Sequence, residues 1–341
     1  MNPSLARHIS ATGFMLFLTV AVRAQEPGGA EILTAADRAL IGRPDLLQAM
    51  ENISGSNIFR LVTLFCADQF AGREAGTPGA RRAADHVAAE FARLGLQPGG
   101  DKGGYLQSFP IFTPDNILAR NVIGVLPGGD EGLRREAVVI GAHYDHLGSD
   151  VFGTFPGAND NAAGVGAMLE IARVITGLPA RPRRTLIFIA FGAEEIGRMG
   201  SLHYVDRPFL PMADTVLMIN FDMIGRNGPN EIFAVGTRTS RALHEIHQAA
   251  NEHVGLRIEH PASLRLGRSD HSSFYMADVP IMYLFGGLHT GYHSSDDTPE
   301  HLTVTKLGRV ARLAFLTAAV TAERTERLTF GDGSTPVATG K

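Results

Sequence analysis

Two histidines and three carboxylate positions follow apolar runs in this chain, where such side chains are costly to bury alone. His143-Tyr144-Asp145-His146 follows residues 138–141, Glu194-Glu195 follows 187–191 and Asp222 follows 218–220. Tyr292-His293 comes after 282–285 and a glycine-rich loop, and Asp160 opens a helical pattern within Gly157-Ala158-Asn159-Asp160-Asn161-Ala162. A carboxylate or imidazole directly behind a buried strand is desolvated at high cost unless it is paired or binds a metal. Nitrogen and oxygen donors in this mixture suit zinc or a similar divalent ion. Taken singly, Asp160 reads as a helix N-cap and His293 as a loop histidine. Taken together, four strand ends each deliver a potential ligand, and an adjacent acid pair sits among them.

That pair has a mechanical logic. Neighbouring side chains point in different directions, so one of Glu194 and Glu195 can ligate while the other faces a metal-bound water as general base. Asp145, two residues after His143, is placed to accept the second imidazole N–H and so fix its tautomer. As a lone residue it would be a solvated loop acid.

The elements that must position these groups are legible as hydrophobic runs. Residues 137–140, 185–190, 216–221 and 279–285 are short and almost continuously apolar, interrupted only by Thr185 and Asn220, as in strands buried on both faces. Helical patterns lie between them. One begins at Pro78-Gly79, carries Ala83, Val87, Ala88, Phe91 and Leu94 on one face, and stops at Gly95. Others cover 162–176, 240–254 and 303–324. Strands alternating with helices predict an α/β layer sandwich around a largely parallel sheet, whose ligand sites lie at the carboxyl ends of the strands.

The chain has 341 residues, with 31 basic and 35 acidic side chains and a formal net charge of −4, which gives no footprint for nucleic acid. One cysteine, Cys66, excludes an intramolecular disulfide and a cysteine-built zinc site, and reads as a small buried hydrophobe. Residues 1–24 read as a secretory signal peptide. Arg7 and His8 precede an apolar stretch over 11–22, and Val22-Arg23-Ala24 is a small-x-small cleavage site. The stretch is too short to span a bilayer, so no integral span is expected after cleavage, and the protein is expected to be secreted or periplasmic. Residues 25–52 read as a lead-in with one helix near 33–40, and 329–341 as a disordered tail. His244 and His247, three apart on a helical pattern, read as a surface pair with no assigned role.

Several segments together resemble the di-zinc aminopeptidases of metallopeptidase family twenty-eight, the bacterial leucyl aminopeptidase type. They are Gly141-Ala142-His143-Tyr144-Asp145-His146-Leu147-Gly148, Gly157-Ala158-Asn159-Asp160-Asn161-Ala162-Ala163-Gly164 and Phe191-Gly192-Ala193-Glu194-Glu195-Ile196-Gly197. Asn220-Phe221-Asp222-Met223-Ile224-Gly225, Ser269-Asp270-His271-Ser272-Ser273-Phe274 and Tyr292-His293-Ser294-Ser295-Asp296-Asp297-Thr298 continue the series. The opening stretch over 70–79 is also similar. The resemblance covers about residues 53–325, in the family's order.

It implies a three-layer α/β/α sandwich with a central mixed, mostly parallel sheet, in a peptidase domain over 53–328. It also implies two zinc ions per chain. His143, Asp160 and Asp222 would hold one; Asp160, Glu195 and His293 would hold the other, with Asp160 bridging. Glu194 would be the general base and Tyr292 an oxyanion donor, although a packing tyrosine is an equal reading of that position. A cis peptide at Asp160–Asn161 is implied as well. Asp270 and His271 read as wall or supporting residues, since adjacent side chains cannot present a catalytic triad to one another.

The activity implied is removal of N-terminal residues from peptides. Met223, Phe285 and Leu288 suggest an apolar pocket for the first side chain. A related di-zinc carboxypeptidase or deacylase would carry a lid domain between the fourth and fifth ligands, and the interval from Asp222 to His293 leaves little room for one. A glutaminyl cyclase would use one zinc and lack the histidine at 143. A metal-free binding domain would have lost ligands, and all five positions and Glu194 are present. The link from Pro110 to Asn121 is too short for an inserted protease-associated domain.

Overall fold

The computed structural model of the chain describes residues 33–111, 117–151, 153–261 and 269–333. The signal-like segment over 1–24 and residues 334–341 of the tail lie outside them.

Helices α1 (Ala35–Ile41), α2 (Pro44–Glu51), α3 (Gly55–Phe65) and α4 (Pro78–Arg93) come first. Thr34 and Asp37 form a reciprocal capping box on α1, Ser54 caps α3, and Thr77 with Pro78 opens α4. These side chains satisfy N–H groups that a first helical turn leaves without partners. Gly95, with φ 74°, ends the α4 region where the sequence places a stop. Burial pushes the thiol of Cys66, which closes α3, up to about 11, so it is inert at neutral pH.

Strands β1 (Gln97–Pro98), β2 (Leu106–Pro110), β3 (Leu118–Leu126) and β4 (Ala137–His143) follow, then a small hairpin of β5 (Ser149–Asp150) and β6 (Gly153–Thr154). Helix α5 (Ala163–Thr176), strand β7 (Thr185–Phe191), helix α6 (Met199–Asp206) and strands β8 (Thr215–Asp222) and β9 (Glu231–Val235) come next. Helix α7 (Arg241–Val254), strand β10 (Arg257–Glu259), helix α8 (His271–Tyr275), strand β11 (Ile281–Phe285) and helix α9 (Val304–Glu323) complete the described chain.

The main sheet has the order β1-β3-β7-β4-β8-β11-β9-β10, with β2 also paired to β3. Its centre, β7-β4-β8-β11, is parallel; β3 and β9 run against it at either side. Alternating strand residues supply two cores. Leu186, Phe188 and Ala190 of β7 join Val138 and Ile140 of β4 beneath residues of α3, α4, α5, α7 and α9. Ile187, Ile189 and Phe191 join Val139 and Met218 on the other face, under Tyr204 of α6 and Phe274 of α8. Period-2 alternation with apolar side chains on both faces is what a sheet covered by helices on both sides requires. The result is a three-layer α/β/α sandwich.

The lead-in boundary at residue 53 does not separate a domain. Leu33, Ile41, Leu46 and Met50 lie in the same core as α9 and β4. The charged residues of the lead-in hid this: Asp37 is buried and receives two hydrogen bonds from Arg324, at 2.6 and 3.2 Å. The tail is also docked as far as residue 333, with Asp332 accepting from the Arg241 N–H. Burial works to raise the Asp37 carboxyl, but Arg324 and the cap bonds of Thr34 hold it below its ordinary value. Asp37→Ala leaves the Arg324 guanidinium buried without its partner and should cost about 3–5 kcal/mol in urea unfolding. In the wild-type protein only the part of that contribution set by the lowering of the Asp37 pKa should be lost, as pH falls from the ordinary carboxylate value through the lowered one. An unchanged urea midpoint would remove the pair from the account of stability.

Candidate metal centre

The carboxyl ends of the four parallel strands converge. His143 is the last residue of β4 and Asp222 the last of β8; Glu194 and Glu195 follow β7, and His293 lies in the loop after β11. Asp160 comes from the turn that leads into α5. Three residues beside these ends adopt positive φ without being glycine: Ala193 at 60°, Met223 at 56° and His293 at 54°. Such conformations cost on the order of 1 kcal/mol or more each and concentrate where a site dictates the backbone.

The donors fall into two sets that share one residue. His143 Nε2 lies 3.4 Å from Asp160 Oδ1 and 3.5 Å from Asp222 Oδ1. His293 Nε2 lies 3.3 Å from Asp160 Oδ2 and 3.2 Å from Glu195 Oε2. The two oxygens of Asp160 thus face different partners, and the Asp160–Asn161 peptide is cis. Tetrahedral zinc with bonds near 2.0–2.1 Å holds neighbouring donors about 3.3–3.4 Å apart, so both sets fit a divalent ion. Asp222 Oδ1 and His293 Nε2 are buried atoms without a hydrogen-bond partner, which also fits ligand atoms.

Loop-to-loop bonds fix this arrangement. His143 Nδ1 lies 3.2 Å from the main-chain carbonyl of Asp145 and 3.8 Å from its carboxylate. The carbonyl, not the side chain, therefore takes the imidazole N–H. The Asp145 carboxylate instead accepts the backbone N–H groups of Glu194 and Glu195, at 3.1 and 3.3 Å, tying the end of β7 to that of β4. Asn159 accepts from Gly225 N–H, and Asn161 Nδ2 donates to the Phe221 carbonyl, which joins the Asp160 turn to the end of β8. Gly157, with φ 59°, tolerates no Cβ, which would collide with the Asp160 carbonyl oxygen and the His146 ring.

Three further participants carry no local sequence signal that marks their role, although each lies within one of the family-like segments. His146 Nδ1 sits 2.7 Å from Glu195 Oε1 and joins the second donor set. Arg73, fully buried, donates to the carbonyls of Tyr144, Phe65, Pro156 and Gly157, clamping the His143 loop to the Asp160 turn. Asp297, also fully buried, accepts from the N–H groups of Asn159 and Asp160. Asp297→Asn should lower kcat/KM about 10–100-fold, the usual cost of disturbing a ligand's support. Unaltered kcat/KM would show that the turn holds itself.

Electrostatics follow from so many acids in one buried place. Asp160 and Glu195, facing His293, push its imidazole up to about 10. A field that holds a proton there also favours a divalent cation, and the two compete. Burial, with Asp270, Asp222 and Asp145 nearby, raises Glu194 well above the carboxylate range, although His143 acts in the opposite sense. Burial and the surrounding carboxylates raise the Tyr292 phenol, whose ring stacks on His293 at 3.8 Å between centroids.

Asp270 and His271 are fully buried behind the centre. His271 stacks on Tyr283, whose hydroxyl donates to Asp222 Oδ2 at 3.3 Å. Met223 and Phe285 pack in one small cluster with Tyr283, while Leu288 is exposed. His244 and His247 are not a surface pair: His247 is fully buried, and both rings pack against His260. They take no part in this centre.

The family model for peptidase family M28 matches residues 121–318. Aminopeptidase YwaD of Bacillus subtilis is 33% identical over 174 residues, which are 48% of this chain and 37% of that protein. The chain therefore spans well under two thirds of that relative's length. Among solved structures, the LapA aminopeptidase of Legionella pneumophila aligns with TM-score 0.67 at 24% identity, over 89% of this chain and 79% of that one. A zinc aminopeptidase of Bacillus subtilis aligns with TM-score 0.61 at 20% identity, over 78% and 94%. A glutaminyl cyclase of Bacteroides thetaiotaomicron aligns with TM-score 0.65 at 18% identity, over 79% and 98%, so the fold alone serves more than one chemistry.

Proposed function

Because the chain belongs to peptidase family M28, we propose that it acts as a zinc-dependent aminopeptidase on peptide N-termini. His143, Asp160 and Asp222 would hold one zinc ion, and Asp160, Glu195 and His293 a second. The observation that carries this reading is the division of the Asp160 oxygens between two separate donor sets. When bound, zinc supplies Lewis acidity toward the scissile carbonyl and makes water a usable nucleophile near neutral pH.

The chain's own residues do the rest. Glu194, poised by burial to take a proton, removes one from the attacking water and delivers it to the leaving amine. Asp145 orients both glutamates through their backbone N–H groups, and His146 holds Glu195 in place. Tyr292 keeps its proton and can donate to the oxyanion. Met223 and Phe285, beside Asp222, supply an apolar wall for the first side chain of the peptide.

The test is release of p-nitroaniline from leucine p-nitroanilide before and after dialysis against a chelator. Loss of activity with recovery on adding Zn2+ is expected, and undiminished activity in the stripped protein would overturn the reading. Cyclisation of an N-terminal glutamine peptide in place of hydrolysis would transfer the site to cyclase chemistry. The intact pair of donor sets favours hydrolysis. Export is inferred from residues 1–24, and N-terminal sequencing of protein recovered outside the cytoplasm checks it. Among the described residues, no helix is long and apolar enough to cross a membrane.

A further inference from the structure

The three histidines remote from the metal centre form a cluster with a geometry of its own. His244 and His247 lie one turn apart on α7, and His260 follows β10 directly. Ring centroids are 4.8 Å apart for His244–His260 and His247–His260, and 5.1 Å for His244–His247. One ring nitrogen from each lies within 4.8 Å of the other two. Strands β9 and β10 run opposite to β11. The cluster therefore lies at the β10 edge of the sheet, with β9 and β11 between it and the strand end that carries Asp222.

The hydrogen bonds assign the ring protons. His247 Nδ1 lies 3.3 Å from the Leu243 carbonyl, and His260 Nδ1 lies 3.3 Å from the Ala234 carbonyl. A carbonyl only accepts, so each Nδ1 carries the proton and each Nε2 carries a lone pair. Those two Nε2 atoms face each other at 3.4 Å. Moving the proton of either ring to Nε2 relieves that opposition but sets a lone pair against a carbonyl oxygen. In His260 that alternative would leave Nδ1 only the long contact with Thr237 Oγ1, at 3.5 Å, as a donor, whereas a cation between the two Nε2 atoms keeps both carbonyl bonds. Burial lowers the affinity of all three rings for a proton; the neighbouring imidazoles act in the same sense on His244 and His247, and Arg238 on His244 and His260. The cation that fits is one that imidazoles bind in their neutral form.

We propose that His244, His247 and His260 form a further metal site for zinc or a similar imidazole-binding divalent ion, distinct from the catalytic centre. The Nε2–Nε2 separation matches the roughly 3.3–3.4 Å between neighbouring donors of tetrahedral zinc, and Nδ1–H bonds to carbonyls are the usual support of a metal-bound histidine. His244, half-buried with Nδ1 3.1 Å from Thr237 Oγ1, completes three ligands by a small swing of its ring. A fourth position is left for water. An all-imidazole set excludes magnesium and calcium, which need oxygen donors. The ion would staple α7 to the edge strand β10, a structural role. Arg238 nearby opposes the added charge, so affinity should be lower than at a site containing carboxylates.

The test uses the whole protein, stripped with chelator, reloaded with Zn2+ and freed of excess metal, with zinc counted by elemental mass spectrometry. His260→Gln and His247→Ala should each bind one zinc fewer per chain than wild type. Both should retain wild-type turnover of leucine p-nitroanilide and lose part of the rise in Tm that Zn2+ produces. Equal zinc counts in wild type and variants would overturn the proposal, and would do so even if Tm fell, since the cluster would then be packing alone. Should His247→Ala fail to fold, His260→Gln, at a half-buried position, decides by itself. A count that drops in Asp160→Asn but not in His260→Gln would leave the catalytic reading standing and remove this one.

Discussion

Asp160→Asn should reduce bound zinc by at least one ion per chain and lower turnover about 10³-fold. Each Asp160 oxygen faces a different histidine, at 3.4 and 3.3 Å. An asparagine offers one acceptor and one donor in the same space, so at most one of the two donor sets stays complete. A metal contributes several kcal/mol to stabilising the transition state, and each 1.4 kcal/mol is tenfold in rate. The fold should survive, because asparagine has nearly the same shape and its remaining oxygen can still meet one of the two histidines. Against burial, which acts to raise it, the facing His143 and His293 hold Asp160 below the ordinary carboxylate range. Elemental analysis and kcat on one preparation check both halves of the prediction. Wild-type zinc content with wild-type kcat would refute the shared-ligand assignment.

Glu194→Gln should keep the zinc and lose turnover by about 10²–10⁴-fold, the span for removing a general base. It is isosteric, and the backbone N–H of residue 194 still reaches Asp145 Oδ1, so the loop should stay in place. The loss should appear in kcat with KM little changed, because the proton is moved only in the transition state. Neutralising one acid in a buried acidic group should not lower Tm. A mutant with normal kcat would place the base elsewhere. A mutant that also sheds zinc would make residue 194 a ligand and reopen the choice between it and Glu195.

That choice shows where local sequence stops. The pair Glu194-Glu195 was visible as an acid pair behind an apolar run, and adjacency alone says that the two side chains diverge. Which one meets His293 depends on a loop almost a hundred residues further on. In the structure Glu195 Oε2 lies 3.2 Å from it, with His146 on the other oxygen of the same carboxylate. Asp145 makes the same point. Its proximity to His143 in the chain suggested a side-chain bond to the imidazole, yet the main-chain carbonyl takes that place and the carboxylate turns to β7. Positioning residues were the least legible. Arg73 and Asp297 look like ordinary surface charges in a sequence, and only their many backbone acceptors and donors explain why they can be fully buried.

By itself the sequence determined the central strands, the helices over them and the strand ends that carry chemistry. Continuous apolar runs and caps are local signals, and a buried parallel sheet places its carboxyl ends together. It misplaced the lead-in, because Asp37 reads as solvated until Arg324 reaches it from the other end of the chain. It also misread His244 and His247, because spacing on a helix says which residues share a face but not what covers that face. Only the tertiary structure brought His260 against that face, and only it divided the two oxygens of Asp160 between two histidines. Those facts depend on contacts between segments far apart in the chain, whose register is set by the packing of the whole sheet and not by any run of neighbouring residues.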